Sequence, residues 1–329
     1  MFNNLVNTSD IYRVIEKLRQ GEINKIINRL IPARLKDKVK KAWEYEDTPP
    51  KNWWNIPAVE KRLNSLVTGN LNKTFYEYTA EKFLNNAQNL IGLSICCGTG
   101  HAEIEWIKTN AFHRIDGVDL SPSRIEFAIE QAKSLRLESK INYYVDDILN
   151  FEIINNKYDV IFAEGALHHL TPMDSIIKKL KDNLKPGGLL ILNDFVGPTR
   201  FQWTKKQLKY VNELLQEVPH KYRKRWKSNT IKSKHYRPSK LSMILSDPSE
   251  AVESSQIIKT LDKYFELVEI KNLGGTLLQL FFNDIAHNFL NDNEETQRWL
   301  EFIFAWEDEL MAKKEIESDF VFAVYRKKG

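Results

Sequence analysis

Apolar residues recur at spacings of three and four near the start of the chain, at Ile11, Val14, Ile15 and Leu18 and again at Ile23, Ile26, Ile27 and Leu30. That period lines one face of an α-helix. Thr48-Pro49-Pro50 interrupts it ahead of Trp53 and Trp54, and Phe75, Tyr76 and Tyr78 then lead a further helix toward Leu84, because paired prolines cannot continue a helical ladder. Residues 1–88 therefore read as a helical cap without a strand. From Leu90 the texture changes: short apolar runs at 90–96, 114–119, 141–145, 158–163 and 189–194 alternate with helical patterns. Such alternation predicts an α/β fold, a doubly wound parallel sheet with helices on both faces.

The punctuation agrees with that reading. Ser121 before Pro122, and Thr171 before Pro172 with Asp174 following, place a capping hydroxyl and a first-turn proline at two helix starts. Lys185-Pro186-Gly187-Gly188 ends a helix and turns into the fifth strand. Beyond Phe195 the pattern predicts a helix over 203–217, a strand over 265–270, helices over 276–289 and 294–311, and a last strand over 320–325. The expected organisation is a cap (1–88), a core (89–200), a helical and basic insertion or lid (201–263), and the end of the core sheet with inserted helices (264–329).

Composition narrows the class. With 42% hydrophobic and 28% charged residues in 329, the chain is neither wholly disordered nor fibrous. No apolar run approaches the roughly 18 residues of a membrane span, and the opening residues lack the blocks of a signal peptide, so the chain is expected in the cytoplasm. Its two cysteines, Cys96 and Cys97, are adjacent; they cannot staple distant segments and fall short of a zinc set, so no metal is expected. A net charge of +4 is small, yet residues 218–246 hold nine Lys or Arg and no acid, whereas residues 291–319 hold ten acids against three bases.

The chemistry concentrates after the first strand. In Ser94-Ile95-Cys96-Cys97-Gly98-Thr99-Gly100 the glycines let backbone approach a ligand without a Cβ in the way, and the helix that follows presents free N–H groups to a carboxylate or phosphate. Nineteen residues on, Val118-Asp119-Leu120 ends the second strand with an acid placed to accept from both hydroxyls of a ribose. Together these outline a nucleoside-cofactor site. The dinucleotide fingerprint is not met, since Cys96 and His101 stand at its outer glycine positions, and no lysine follows Gly100 as a Walker loop requires.

Residues 90–195 resemble the core of the class I S-adenosylmethionine-dependent methyltransferases through five motifs in order. The glycine loop, with Cys96, Gly98 and Gly100, is implied to contact the methionine part of the cofactor. Asp119 and its neighbour Leu120 match the ribose site. Asp146, Asp147 and Ile148 match the adenine site, with Asp147 accepting from the amino group and Ile148 packing on the ring. Tyr158-Asp159-Val160-Ile161-Phe162-Ala163-Glu164-Gly165-Ala166-Leu167-His168-His169 resembles the fourth-strand motif, in which Glu164 could contact the cofactor or orient an acceptor, and Leu184-Lys185-Pro186-Gly187-Gly188 the turn before the fifth strand. The resemblance implies a Rossmann-like seven-stranded sheet with an antiparallel last strand. This sequence departs from the family at Ser94, where an acid is usual, and at Cys96, where glycine is usual. Outside the core, Trp53-Trp54, residues 247–252 and Gly274-Gly275 resemble bacterial members of glycan or secondary-metabolite pathways.

The implied activity is methyl transfer to an oxygen or nitrogen of a small, anionic or sugar-like acceptor, with S-adenosylmethionine as cofactor. Orientation alone can supply about 7–11 kcal/mol; for a hydroxyl acceptor the candidate bases are His168, His169 and Asp194, all close to strand C-terminal ends. Either histidine could equally cap a helix. Arg200, Arg223 and Arg237 are the candidate anion binders. The basic residues at 220–240, interleaved with Tyr222, Trp226 and Tyr236, could instead contact RNA or form a solvated lid. Trp53, Trp54, Phe75, Tyr76 and Tyr78 are either ordinary packing or a lid, with Tyr76 near the methionine end. A catalytically silent cofactor-binding scaffold is the remaining alternative, made conceivable by Ser94 and Cys96.

Overall fold

Burial along each apolar run decides its place in a single sheet. The computed structural model describes residues 8–19, 37–39, 52–84, 87–152, 157–228 and 230–328. Seven strands form one sheet in the order β3-β2-β1-β4-β5-β7-β6: β1 Leu90–Ile95, β2 Phe112–Asp119, β3 Ile141–Val145, β4 Tyr158–Glu164, β5 Leu184–Phe195, β6 Phe265–Gly274 and β7 Phe320–Lys327. The inner strand β4 carries the continuous apolar run Val160-Ile161-Phe162-Ala163, all fully buried, which is the signature of a strand covered on both faces. The edge strand β6 exposes Leu267, Val268 and Ile270 instead. All pairings are parallel except those of β7, which runs antiparallel to β5 and β6, as the sequence implied.

Helices cover both faces. On one, α6 (Met173–Asn183) and α9 (Ile257–Tyr264) set Ile176, Ile177, Leu180 and Leu261 against the sheet. On the other, α2 (Pro57–Thr68), α3 (Phe75–Phe83) and α4 (His101–Lys108) bring Val67, Phe75 and Trp106 onto Phe162 and Phe322. Within the predicted cap, α2 and α3 therefore form a layer on the sheet, whereas residues 10–16 meet the 230–239 segment instead. A third cluster joins Trp53 to α7 (Lys205–Glu217), α10 (Leu278–Phe282) and α11 (Glu294–Ala312). The helix α5 (Pro122–Ser134) buries Ile125, Ala128 and Ala132, and α8 (Lys240–Ser246) follows the basic segment.

Several expectations shift. The helix α1 (Thr8–Arg19) forms, but Ile11, Val14, Ile15 and Leu18 face solvent and the buried side is Glu16, which accepts from Thr230. Residues 20–36, with the second apolar set, lie outside the described residues, as does Thr48-Pro49-Pro50. Ser121 precedes α5 without capping it; its hydroxyl meets that of Ser123 at 3.2 Å. Thr171 does not cap α6, because its hydroxyl donates to Glu253. The fifth strand starts earlier, at Leu184, with the glycines inside an irregular stretch of it. The helix predicted over 276–289 breaks after Phe282 and resumes as a short turn, Ala286–Phe289. The reason is Lys232: its buried ammonium donates to the carbonyls of Leu280, Phe281 and Asn283 at 2.6, 2.9 and 2.6 Å, which closes off the end of α10.

Chain order places the site. Because β1 lies between β2 and β4, the connections after β1 and β4 leave in opposite directions and open a crevice at their C-terminal ends.

Candidate active site

The turn after β1 forms the floor of that crevice. Gly98 (φ 56) and Gly100 (φ 84) adopt left-handed backbone that a side chain would strain. Gly100 also has no room, since a Cβ there would lie 2.5 Å from the Tyr143 hydroxyl. Cys96, at the position where a glycine was expected from the resemblance, takes φ 52 as well; the conformation is kept and the residue bears the strain. Its thiol is pushed well above the usual range by burial and by the charges of Asp119, Asp194 and Asp147, so all three acids act on one sulfur.

The predicted ribose and adenine acids close on the same turn. Asp119 accepts from the N–H of Gly98 at 3.0 Å and from that of Ser121 at 2.8 Å. Those two bonds use about half of a carboxylate's acceptor capacity and leave the rest for a diol. The N–H of Asp146 donates to the Asp119 carbonyl, and the Asp146 carboxylate accepts from the N–H of Asp147 at 2.7 Å. Asp147 in turn accepts from Leu149 at 3.1 Å, and Ile148 is buried beside it. Leu120 is half-buried at the rim. The Arg124 guanidinium lies over the turn, 3.3 Å from where a Cβ on Gly98 would be.

A second wall carries buried acid. Glu164, at the end of β4, accepts from Trp106 Nε1 at 2.7 Å and from the Tyr76 hydroxyl at 3.1 Å, so the structure unites two residues predicted separately. Burial raises the Glu164 carboxyl to about 7, against those two hydrogen bonds. Sequence reasoning missed Glu103, in the first turn of α4. It is fully buried with neither oxygen in a hydrogen bond of good geometry, beside the Ser94 and Tyr143 hydroxyls. Burial lifts it to about 8, with Glu164 adding to the rise. Fully buried Glu103 and half-buried Glu164, neither in a salt bridge among the described residues, suit a ligand that carries positive charge. The orphaned oxygens of Glu103 and the spare acceptor capacity of Asp119 fit S-adenosylmethionine, which carries a cationic sulfonium and ammonium and a ribose diol.

The third wall lies after β4 and β5. Asp194 accepts from the N–H groups of Ala166, Leu167 and Phe195 at 3.1, 2.7 and 2.7 Å, and meets His168 Nδ1 at 2.5 Å. Burial works to lower the His168 pKa, but the Asp194, Glu250 and Asp247 charges outweigh it and raise it. His169, packed 3.8 Å from the His168 ring, is lowered by burial and by its neighbour's charge. Glu250 was not predicted. It stands 3.6 Å from His168 Nε2, raised by burial to about 7, and its segment is pinned by Val252 N–H to the His168 carbonyl. Only its place in the 247–252 stretch hinted at a role. Among the described residues His168, His169 and Glu250 bring one ligand atom each within 4.8 Å of one another, a grouping that counting cysteines could not reveal.

The predicted anion binders separate. Arg200 reaches this wall, its Nη1 donating to the Glu250 carbonyl at 3.1 Å. Arg223 is buried, donating to the Lys232 carbonyl, and so faces no open surface. Arg225 is likewise internal, 2.8 Å from Asp284, and Arg237 is half-buried further along. The basic segment thus spends much of its charge inside the protein. Trp53 packs on Phe320, Phe75 on Trp106, and Tyr78 donates to Glu269, whereas Trp54 is exposed.

A family model described as a methyltransferase domain matches residues 87–271. The chain is 28% identical over 103 residues to phosphoethanolamine N-methyltransferase 3 of Arabidopsis thaliana, covering 31% of this chain and 20% of that one. It is 30% identical over 105 residues to erythromycin 3''-O-methyltransferase of Saccharopolyspora erythraea, covering 32% and 34%. The similarity thus spans a fifth to a third of those relatives. In fold, the chain is similar to geranyl diphosphate C-methyltransferase of Streptomyces coelicolor A3(2), with a TM-score of 0.52 at 13% identity over 90% of this chain and 98% of that one. Among the described residues no helix is long and apolar enough to cross a membrane.

Proposed function

The chain belongs to the class I S-adenosylmethionine-dependent methyltransferases, and from that premise we propose that it methylates an oxygen or nitrogen of a small acceptor held beside His168. Bound S-adenosylmethionine supplies a methyl carbon made electrophilic by the sulfonium. Asp119 holds the ribose, Asp147 and Ile148 the adenine, and the glycine turn, with Glu164, Tyr76 and Glu103, the cationic methionine end. His168 carries the reading. Its Nδ1 is held by Asp194, so its proton belongs on that nitrogen and the lone pair on Nε2, the atom 3.6 Å from Glu250 Oε1. There it accepts the acceptor's proton as the nucleophile attacks, a contribution of about 10²–10⁴-fold. Asp194 and its three amide donors fix the ring, while His169, kept uncharged by burial, and Arg200 shape the acceptor's seat; Arg200 suits an anionic group.

The relatives' names, phosphoethanolamine N-methyltransferase and erythromycin 3''-O-methyltransferase, support a small-molecule acceptor. Incubation of the chain with methyl-labelled cofactor and a panel of small hydroxyl and amine compounds tests this. Label should reach at least one of them and fall sharply in His168→Gln. Transfer to none of them, with the cofactor tightly bound, would leave a silent binding protein instead.

A further inference from the structure

Resting on the reading of His168 as proton acceptor, we infer that His168, His169 and Glu250 form a binding site for a divalent transition-metal ion, and that Zn²⁺ bound there blocks the reaction. The donor set is two imidazoles and one carboxylate, a combination that suits zinc with a position left open. The three ligand atoms lie within 4.8 Å of one another, and His168 Nε2 is 3.6 Å from Glu250 Oε1. Ligands around a tetrahedral zinc, at bonds of about 2.0–2.2 Å, stand roughly 3.4 Å apart, so small side-chain motions complete the site. His168 also has the outer partner a metal-binding histidine needs: Asp194 accepts from Nδ1 and orients the ring.

The ligands come from two segments fixed to each other. His168 and His169 sit on the turn Leu167–His169, and Glu250 is anchored by the Val252 bond to His168 and by Arg200, whose N–H donates to the Ala251 carbonyl at 2.7 Å. Glu250 points its carboxylate at a histidine, and among the described residues no Lys or Arg forms a salt bridge with it. The consequence follows from counting electrons. Nε2 has one lone pair, which either takes the acceptor's proton or binds the ion. No bond is made or broken elsewhere, and removing the ion restores the base.

Zinc and S-adenosylhomocysteine are titrated separately into chelator-treated protein by calorimetry. One equivalent of Zn²⁺ should bind to the parent chain, with an affinity more than about 100-fold weaker in Glu250→Gln and in His169→Gln, a loss beyond that for outer-shell partners. Co²⁺ should give visible absorption in the parent and lose it in both variants. S-adenosylhomocysteine should bind all three proteins alike. In the labelling assay, one equivalent of Zn²⁺ should stop transfer and a chelator should restore it. No zinc binding, or equal binding by the variants, overturns the site, and zinc that binds yet accelerates transfer overturns the blocking role. Failure of S-adenosylhomocysteine to bind would sink the methyltransferase reading and leave the zinc result intact.

Discussion

The cofactor side and the acceptor side of the crevice, each a wall of it, are built differently. The cofactor wall uses residues from neighbouring connections, Gly98, Asp119 and Asp147, joined by backbone N–H groups that donate to carboxylates, such as Gly98 N–H to Asp119. The acceptor wall joins His168, Asp194 and Glu250, the last drawn in from a segment some 80 residues further along. Both walls thus hold a carboxylate by backbone N–H groups, but the first is assembled from adjacent connections and the second adds ionisable side chains from a distant segment. A change on one should leave the other working.

The largest effect expected is on the cofactor wall. Asp119→Ala removes the acceptor for Gly98 and Ser121 and for the ribose diol, and should weaken S-adenosylhomocysteine binding more than about 100-fold by calorimetry, with the circular dichroism spectrum unchanged. Retained affinity would break the division between the walls. On the acceptor wall, His168→Gln should lower transfer by about 10²–10⁴-fold while cofactor affinity holds. Because the His168 pKa is raised chiefly by Asp194 against burial, the rate with the parent chain should climb with pH through a value above that of ordinary histidine. A flat profile would remove His168 as the base.

Glu103 sharpens the comparison through stability. Its carboxyl moves from the usual 4.5 to about 8 in the fold, so the native state holds a proton the unfolded chain releases. Stability from this group is present below pH 4.5 and is lost as pH rises through 8, by an amount on the order of 5 kcal/mol at most. Thermal melts of Glu103→Gln without cofactor should therefore decline less between these pH values than those of the parent. Equal declines would show that Glu103 is not the protonated group. The smallest effect belongs to Cys96→Gly. Relief of the left-handed strain and the added freedom of the unfolded chain offset each other to within about 1 kcal/mol, and cofactor affinity should persist.

The same contrast explains what could be read in advance. Each strand was legible as a short apolar run between turn signals, most plainly in β4, and the glycine turn, Asp119 and Asp147 were legible because each sits at a fixed offset from a strand end. The helix face of α1 was not, because Glu16 is held by Thr230, far along the chain. Nor was the break after Phe282, which depends on Lys232. Glu250 and Glu103 escaped for a similar reason: an isolated acid in a helix or loop carries no local sign that folding will bury it. Arg223 looked like an anion binder by composition, and packing turned it inward.

A crystal structure with S-adenosylhomocysteine tests the central claim most directly. The account predicts the ribose hydroxyls on Asp119, the adenine between Asp147 and Ile148, and the sulfur open toward His168 Nε2. A ligand bound away from Asp119, or one whose sulfur faces away from His168, would contradict it.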